Sequence, residues 1–221
     1  MVENNKMKVE IWSDIMCPFC YIGKRHFESA LQKFDHAGDI EVEWKSFQLD
    51  PSIPADISVG TTVYEYLAEK KGVSVDQAKQ MHTGVMEMAK AAGLEYNFDI
   101  AKVANSLNAH RMIQMAKSKG LGDAAEEKLF KSYFTEGRNF GDKDDLIKMG
   151  IEIGLSEVDV NESLENDDYA YKVKQDIQEG EKLGVRGVPF FVFDRKYGIS
   201  GAQPIEAFSQ TLEQSFNEWA K

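Results

Sequence analysis

Residues 8–23 read KVEIWSDIMCPFCYIG, and the fold turns on them. Lys8 to Ser13 alternates, with Val9 and Ile11 on one side, which predicts a strand. Beyond Asp14-Ile15-Met16-Cys17-Pro18-Phe19-Cys20, the apolar residues Ile22, Phe27, Ala30, Leu31 and Phe34 recur at helical spacing, predicting a helix that ends near Gly38. Glu41 to Leu49 (EVEWKSFQL) then sets Val42, Trp44, Ser46 and Gln48 against Glu41, Glu43, Lys45, Phe47 and Leu49. Its β-branched and aromatic content predicts a strand that ends at Pro51. The opening is thus β-α-β, whose crossover helix implies a parallel pair with a right-handed connection.

From about Thr61 to Gly184 the pattern becomes helical, over 61–71, 75–92, 101–119, 122–136, 143–153, 156–165 and 168–183. Gly72, Gly93, Gly120, Gly137, Gly154 and Gly184 follow these runs as helix stops, and Asp123, Asp142 and Ser156 stand where N-caps or first-turn residues belong. Strand character returns at Val188 to Phe193 (VPFFVF) and at Tyr197 to Ser200, before a final helix over Pro204 to Trp219. A β-α-β half and a β-β-α half therefore share one mixed sheet. The fold class is α/β, with a large all-helical insertion: 1–55 and 185–221 form the sheet domain and 56–184 the inserted one.

Composition narrows the function. The chain has 221 residues and a formal net charge of −11, with 43% hydrophobic residues, which is a globular composition. The acidic balance excludes nucleic acid as a main partner, since nothing is in surplus to neutralise phosphates. No apolar run reaches the roughly 18 residues of a membrane span. The opening residues lack the basic head and about 7–15 apolar residues of a secretory signal, so the expected location is the cytoplasm, unless a leader has been removed.

The only two cysteines, Cys17 and Cys20, form one C-x-x-C. A disulfide scaffold would carry more, and more widely spaced. A zinc site would need further ligands from His26, His36, His82 and His110, none of which makes an H-x3–5-H pair, so no metal is expected. Pro18 follows Cys17, and proline at the first helical position costs little. Cys17 is then the N-cap and Cys20 the N3 residue, exposed at a helix tip whose free N–H groups and dipole favour a thiolate. Two residues so spaced stand about 5–6 Å apart at Cα, within disulfide range. Cys17 can attack a substrate sulfur and Cys20 can resolve the mixed disulfide.

CPFCYIGK at 17–24, GVRGVPFFVF at 184–193 and ISGAQ at 199–203 together resemble the FrnE-like branch of the DsbA family, thioredoxin-superfamily proteins with a helical domain inserted in the fold. The resemblance runs through essentially the whole chain. It implies a dithiol–disulfide oxidoreductase or isomerase in which Cys17 is the nucleophile, Cys20 the resolving thiol and Pro189 a cis-proline preceded by Val188. A cis bond there would leave the Val188 backbone to pair with an extended substrate. Strongly oxidising relatives carry histidine where Phe19 stands after Pro18, which implies a potential here below about −120 mV. In relatives the helix containing Asn105, Asn108, His110 and Arg111 faces the active site, which makes Asn108 and His110 candidate substrate contacts, alongside Pro18, Phe19, Val188 and Gln203. The competing reading of that helix buries Leu107, Met112, Met115 and Ala116 and leaves its polar residues to cap or solvate.

No bound cofactor is implied, although glutathione could serve as redox partner. The partners are thiol- or disulfide-containing proteins or small molecules, and a homodimer stays open because apolar helical faces serve core and interface alike. Two alternatives remain. One is a glutathione-dependent isomerase or transferase of the 2-hydroxychromene-2-carboxylate isomerase or kappa type, whose members typically have serine in place of the first cysteine. The other is a non-enzymatic redox-dependent binding protein.

Overall fold

The computed structural model describes residues 6–54 and 61–221; the expected domain boundary at 55/56 lies outside them. Strand β1 (Met7–Ser13) leads into helix α1 (Pro18–Gln32), and a short 3-10 turn (Ala37–Asp39) leads into β2 (Ile40–Ser46). β1 and β2 pair in parallel from Met7 opposite Ile40 to Ser13 opposite Ser46, as a crossover helix requires. Seven helices follow: α2 (Val63–Lys71), α3 (Val75–Ala91), α4 (Leu107–Ser118), α5 (Gly122–Phe134), α6 (Lys143–Glu152), α7 (Glu157–Glu165) and α8 (Asp167–Lys182). The chain then returns to the sheet as β3 (Phe190–Phe193) and β4 (Tyr197–Ser200), and ends with α9 (Ile205–Trp219). The sheet order is β2-β1-β3-β4, with β3 antiparallel to both neighbours. This is the thioredoxin-like α/β architecture with inserted helices.

Helix boundaries follow the local chemistry. Thr62, Ser74 and Ser156 cap α2, α3 and α7 through capping boxes, and Asp142 and Asn166 cap α6 and α8. Asp123 falls in the first turn of α5. Each expected glycine stop has a positive φ, Gly72 as the left-handed cap of α2.

Four boundaries differ from expectation. α1 ends at Gln32, short of Gly38, because Phe34 and His36 turn aside to pack on the Phe216 ring at 5.4 and 4.4 Å. β2 ends at Ser46; Leu49 N–H is drawn instead to the Asp14 carboxylate at 2.6 Å. The helix expected from 101 starts at Leu107. Ala101, Val103 and Ala104 are buried without being helical, and the Asn105 side chain accepts the Leu107 N–H at 2.9 Å. β3 starts at Phe190 and leaves Val188 and Pro189 ahead of the ladder.

Two large cores divide the molecule. On one side of the sheet, Phe27 of α1, Phe191 and Phe193 of β3 and Phe208 of α9 pack at 4.7–6.2 Å between ring centroids, with Val9, Ile11 and Leu212 around them. Burying each such side chain contributes about 1.5–3 kcal/mol. The other core joins Ile15, Cys17, Cys20, Tyr21 and Ile22 to the inserted helices through Met112, Met115, Phe130 and Phe134. Trp12 sits in a smaller cluster with Val185 and Val192, its indole N–H donating to the Asp176 carbonyl at 2.7 Å. The thiol segment is thus part of the helical core.

Candidate active site

Cys17 is the N-cap of α1 with an extended backbone (φ −87°, ψ 110°), Pro18 is the first helical residue and Cys20 the third. The Asp14 carbonyl accepts the Cys17 N–H and the Cys17 carbonyl accepts the Cys20 N–H, both at 3.0 Å, so a tight turn brings the strand into the helix. Both cysteines are free thiols. Contrary to the expected exposed tip, Cys17 is only 4% exposed and Cys20 1%, because the inserted helices close over this end of α1. No backbone N–H of the helix bonds the Cys17 side chain; the thiol donates across the molecule to the Val188 carbonyl at 3.4 Å.

The Val188–Pro189 bond is cis. The Pro189 carbonyl is held by the Gly201 N–H at 2.8 Å, while Val188 makes no backbone hydrogen bond among the described residues. Close approach of this loop to α1 depends on Gly23. A Cβ there would lie 3.1 Å from Pro189 Cγ, 3.3 Å from Phe191 Cζ and 3.5 Å from Ala202 Cα. Gln203 is exposed; its amide donates to the Ser200 carbonyl at 2.9 Å and its own carbonyl lies 2.8 Å from His26 Nδ1. Phe19, at 38% exposure, is the apolar group that the site presents to solvent.

Burial pushes the Cys20 thiol well above its ordinary range, and the adjacent Cys17 sulfur adds to this; the Asp14 amide and the Ser13 hydroxyl pull the other way. Cys20 therefore holds its proton in neutral solution. An aromatic wall backs the pair. Tyr96 donates to the Pro18 carbonyl at 2.7 Å and stacks on Phe134 at 4.4 Å, and Tyr21 stacks on Phe130 at 5.0 Å. Burial raises the Tyr96 hydroxyl far above its usual value, and charge on the two sulfurs raises it further.

Behind the thiols lies buried charge. Asp14 and His110 are both fully buried, with Asp14 Oδ1 3.5 Å from His110 Nε2. Burial acts to lower the His110 pKa, but Asp14, Glu126 and the Phe47 carbonyl outweigh it and leave it raised. Glu126, 1% exposed on α5, is raised by burial to about 7, against the pull of His110 and Lys24.

Of the residues expected in the site, the structure brings together Cys17, Cys20, Pro18, Phe19, Val188 and Pro189, with Gln203 on the adjoining loop. His110 does not meet the expectation of a substrate contact, because it has no exposed surface and reaches the thiol segment only through Asp14. Asn108 is half-buried on α4. Arg111 serves the fold by donating to the Ser163 and Asn166 carbonyls. Lys24, on α1 beyond the thiols, is 1% exposed among Glu28, Asp123 and Glu127. Asp14, Tyr96, Gly23 and Glu126 were missed. Only Asp14 carried a signal, as an acid between two apolar stretches just before Cys17. Among the described residues, no cluster of three or more His, Cys, Asp and Glu could hold a metal ion.

Comparison with known proteins identifies the family. A family model described as the DSBA-like thioredoxin domain matches residues 8–213. The chain belongs to that family. A crystal structure of a probable DsbA oxidoreductase from Streptomyces coelicolor superposes on this DSBA-like chain with a TM-score of 0.90 and 39% identity, over 96% of this chain and 91% of its own. The YwbO protein of Bacillus subtilis (strain 168), described as uncharacterized, is 28% identical over 92% of this chain and 94% of its own. More distantly, the cytosolic disulfide reductase DsbM from Pseudomonas aeruginosa shares the fold at 17% identity, with a TM-score of 0.68 over 95% and 98% of the two chains.

Proposed function

We propose that this DSBA-like protein is a thiol–disulfide oxidoreductase in which Cys17 attacks and Cys20 resolves. The observation that carries the reading is a pair of free thiols at the N-cap and N3 positions of α1, with the Val188 carbonyl 3.4 Å from Cys17 Sγ. The Cys17 sulfur attacks a substrate disulfide, one substrate sulfur leaves as thiolate, and Cys17 stays joined to the other. Cys20 then loses its proton and attacks Cys17, which closes the pair and releases the second substrate thiol. The same steps run backwards transfer a disulfide to a dithiol. Val188 offers backbone groups to an extended substrate, while Pro18, Phe19 and Gln203 form the rim.

The quoted motifs and the match along nearly the whole chain support placing it in the FrnE-like branch and dividing it at 55/56 and 184/185. A cytoplasmic setting and exchange with glutathione draw support from the Pseudomonas neighbour, named a cytosolic disulfide reductase and also determined with GSH.

The test is Cys20→Ser. Incubated with a disulfide-bonded protein such as insulin, the variant accumulates a Cys17 mixed disulfide and loses turnover, whereas Cys17→Ser traps nothing. Full turnover by Cys20→Ser overturns the dithiol reading and favours a glutathione-dependent isomerase that needs one sulfur. Stoichiometric, redox-dependent protein binding without turnover favours a binding protein instead.

A further inference from the structure

Cys17 occupies an N-cap, yet its sulfur accepts none of the hydrogen bonds that an N-cap side chain ordinarily takes. The reason is its proton. As a thiol the group donates, and its acceptor is the Val188 carbonyl at 3.4 Å. A thiolate has nothing to donate and is repelled by that oxygen, so it gains by turning toward the first turn of α1. That turn has few groups to offer. Pro18 has no N–H, and the Cys20 N–H is already held by the Cys17 carbonyl at 3.0 Å. The Phe19 N–H has no backbone acceptor among the described residues. It stands at N2, a position from which an N-cap side chain accepts.

The far end of the same peptide group is occupied. Val188–Pro189 is the only cis bond among the described residues, so the Pro18 carbonyl and the Phe19 N–H point in opposite directions across a trans unit. The Pro18 carbonyl accepts the Tyr96 hydroxyl at 2.7 Å. Packing alone does not call for that hydroxyl. The Tyr96 ring stacks on Phe134 at 4.4 Å and meets Phe98 edge-on at 5.7 Å, contacts that a phenylalanine would keep. Pro18 is the first helical residue, so its carbonyl has a place in the α1 ladder without Tyr96. Burial, joined by charge on the two sulfurs, keeps the Tyr96 proton in place and makes the hydroxyl a fixed donor. The neighbouring Tyr21 turns its own hydroxyl away, to Glu127 at 2.6 Å.

We propose that Tyr96 is a positioning residue for the Cys17 thiolate, acting through the Pro18–Phe19 peptide group. Its hydroxyl draws on the Pro18 carbonyl and polarises the peptide. The Phe19 N–H then becomes a stronger donor to the sulfur once Cys17 has released its proton to solvent. Hydrogen bonds chained in this way strengthen one another by roughly 10–30%. Only the S–H bond breaks, its electron pair stays on sulfur, and Tyr96 keeps its own proton. The proposal deepens the reading of Cys17 as nucleophile and rests on it, since the thiolate is the attacking species.

The test is the ultraviolet absorbance of the thiolate in the reduced full chain, taken at a pH where Cys17 is partly ionised and checked by its loss on alkylation. Cys20, which holds its proton, stays silent. The thiolate-to-thiol ratio in Tyr96→Phe should fall by about 1.5- to fourfold, the effect of weakening one charge-assisted hydrogen bond by roughly 10–30%. With 3-fluorotyrosine in place of Tyr96, a stronger donor of nearly the same size, the ratio should rise above the wild-type value. Urea unfolding of the same proteins separates stability from this effect, because a purely structural tyrosine would lower the midpoint and leave the ratio alone. An unchanged ratio in folded Tyr96→Phe overturns the proposal, whatever its stability. Should that variant not fold, an unchanged or lowered ratio in the fluorotyrosine protein overturns it. Both measurements use reduced protein only. If the pair does not close on mild oxidation, the dithiol reading falls, while the ratios still decide the part played by Tyr96.

Discussion

Glu126→Gln makes stability report on a buried charge. The Glu126 carboxyl is raised from an ordinary 4.5 to about 7 in the folded chain, principally by burial. The folded state therefore binds a proton that the unfolded state has already released between those values. Its contribution is fully present below about 4.5 and is lost as pH rises through about 7. At about 1.4 kcal/mol per pH unit, the full swing is roughly 3 kcal/mol. Glutamine keeps the size and neutrality of the protonated acid without its titration. The variant should match the wild type within about 0.5 kcal/mol at low pH. Above the folded pKa it should be more stable by roughly 3 kcal/mol. Urea unfolding of both proteins, kept reduced, at about pH 5 and about pH 8 measures this; carboxylates shared by the two proteins cancel in the difference. A difference that stays constant between the two pH values would refute the claim that Glu126 is buried and titrating.

Three other outcomes follow from the geometry. In Gly180→Ala the new Cβ would stand 2.6 Å from Trp12 Nε1, which already donates to the Asp176 carbonyl. Overpacking and a broken buried bond outweigh the helix propensity of alanine, and denaturant titration should show a loss of about 2–4 kcal/mol. Gly23→Ala pushes on the Pro189 ring at 3.1 Å. Its stability should fall by only about 1 kcal/mol after the propensity gain, while disulfide-reductase turnover falls several-fold because the Val188 carbonyl is displaced from Cys17; unchanged turnover would contradict the role given to that approach. Phe19→His places a protonatable ring beside the thiols, and a glutathione redox titration should find the potential raised by about 20–80 mV, the equivalent of a surface charge pair.

Much of this was legible along the chain because the signals were local. C-P-x-C after an alternating strand specified the helix start, and glycines with no competing role marked the stops. Where the sequence misled, the cause was tertiary. Residues 101–106 have apolar spacing suited to a helix, yet they run non-helically through the core to place Asn105 at the start of α4. Nothing near Lys24 in sequence announces its burial against Asp123 and Glu127. The periodicity of α4 places His110 on its helix but does not give its depth, which is complete burial. Its partner Asp14 comes from a different element, and Glu126 sits in an acidic pair where either residue could have faced inward.

The sheet also sets an order of events during synthesis. β1 needs β3 along its second edge, yet the ribosome must make everything between Ser46 and Phe190 first. That stretch of roughly 140 residues takes about 7–30 s at typical rates of translation. Throughout that interval Cys17 lacks the Val188 carbonyl that it meets in the finished fold, and until α4 and α5 have been made both sulfurs stand open to whatever solution surrounds the nascent chain. A newborn molecule thus meets oxidants and metals with its two thiols bare, is covered first by its inserted helices, and completes the surroundings of Cys17 only when its last strands arrive.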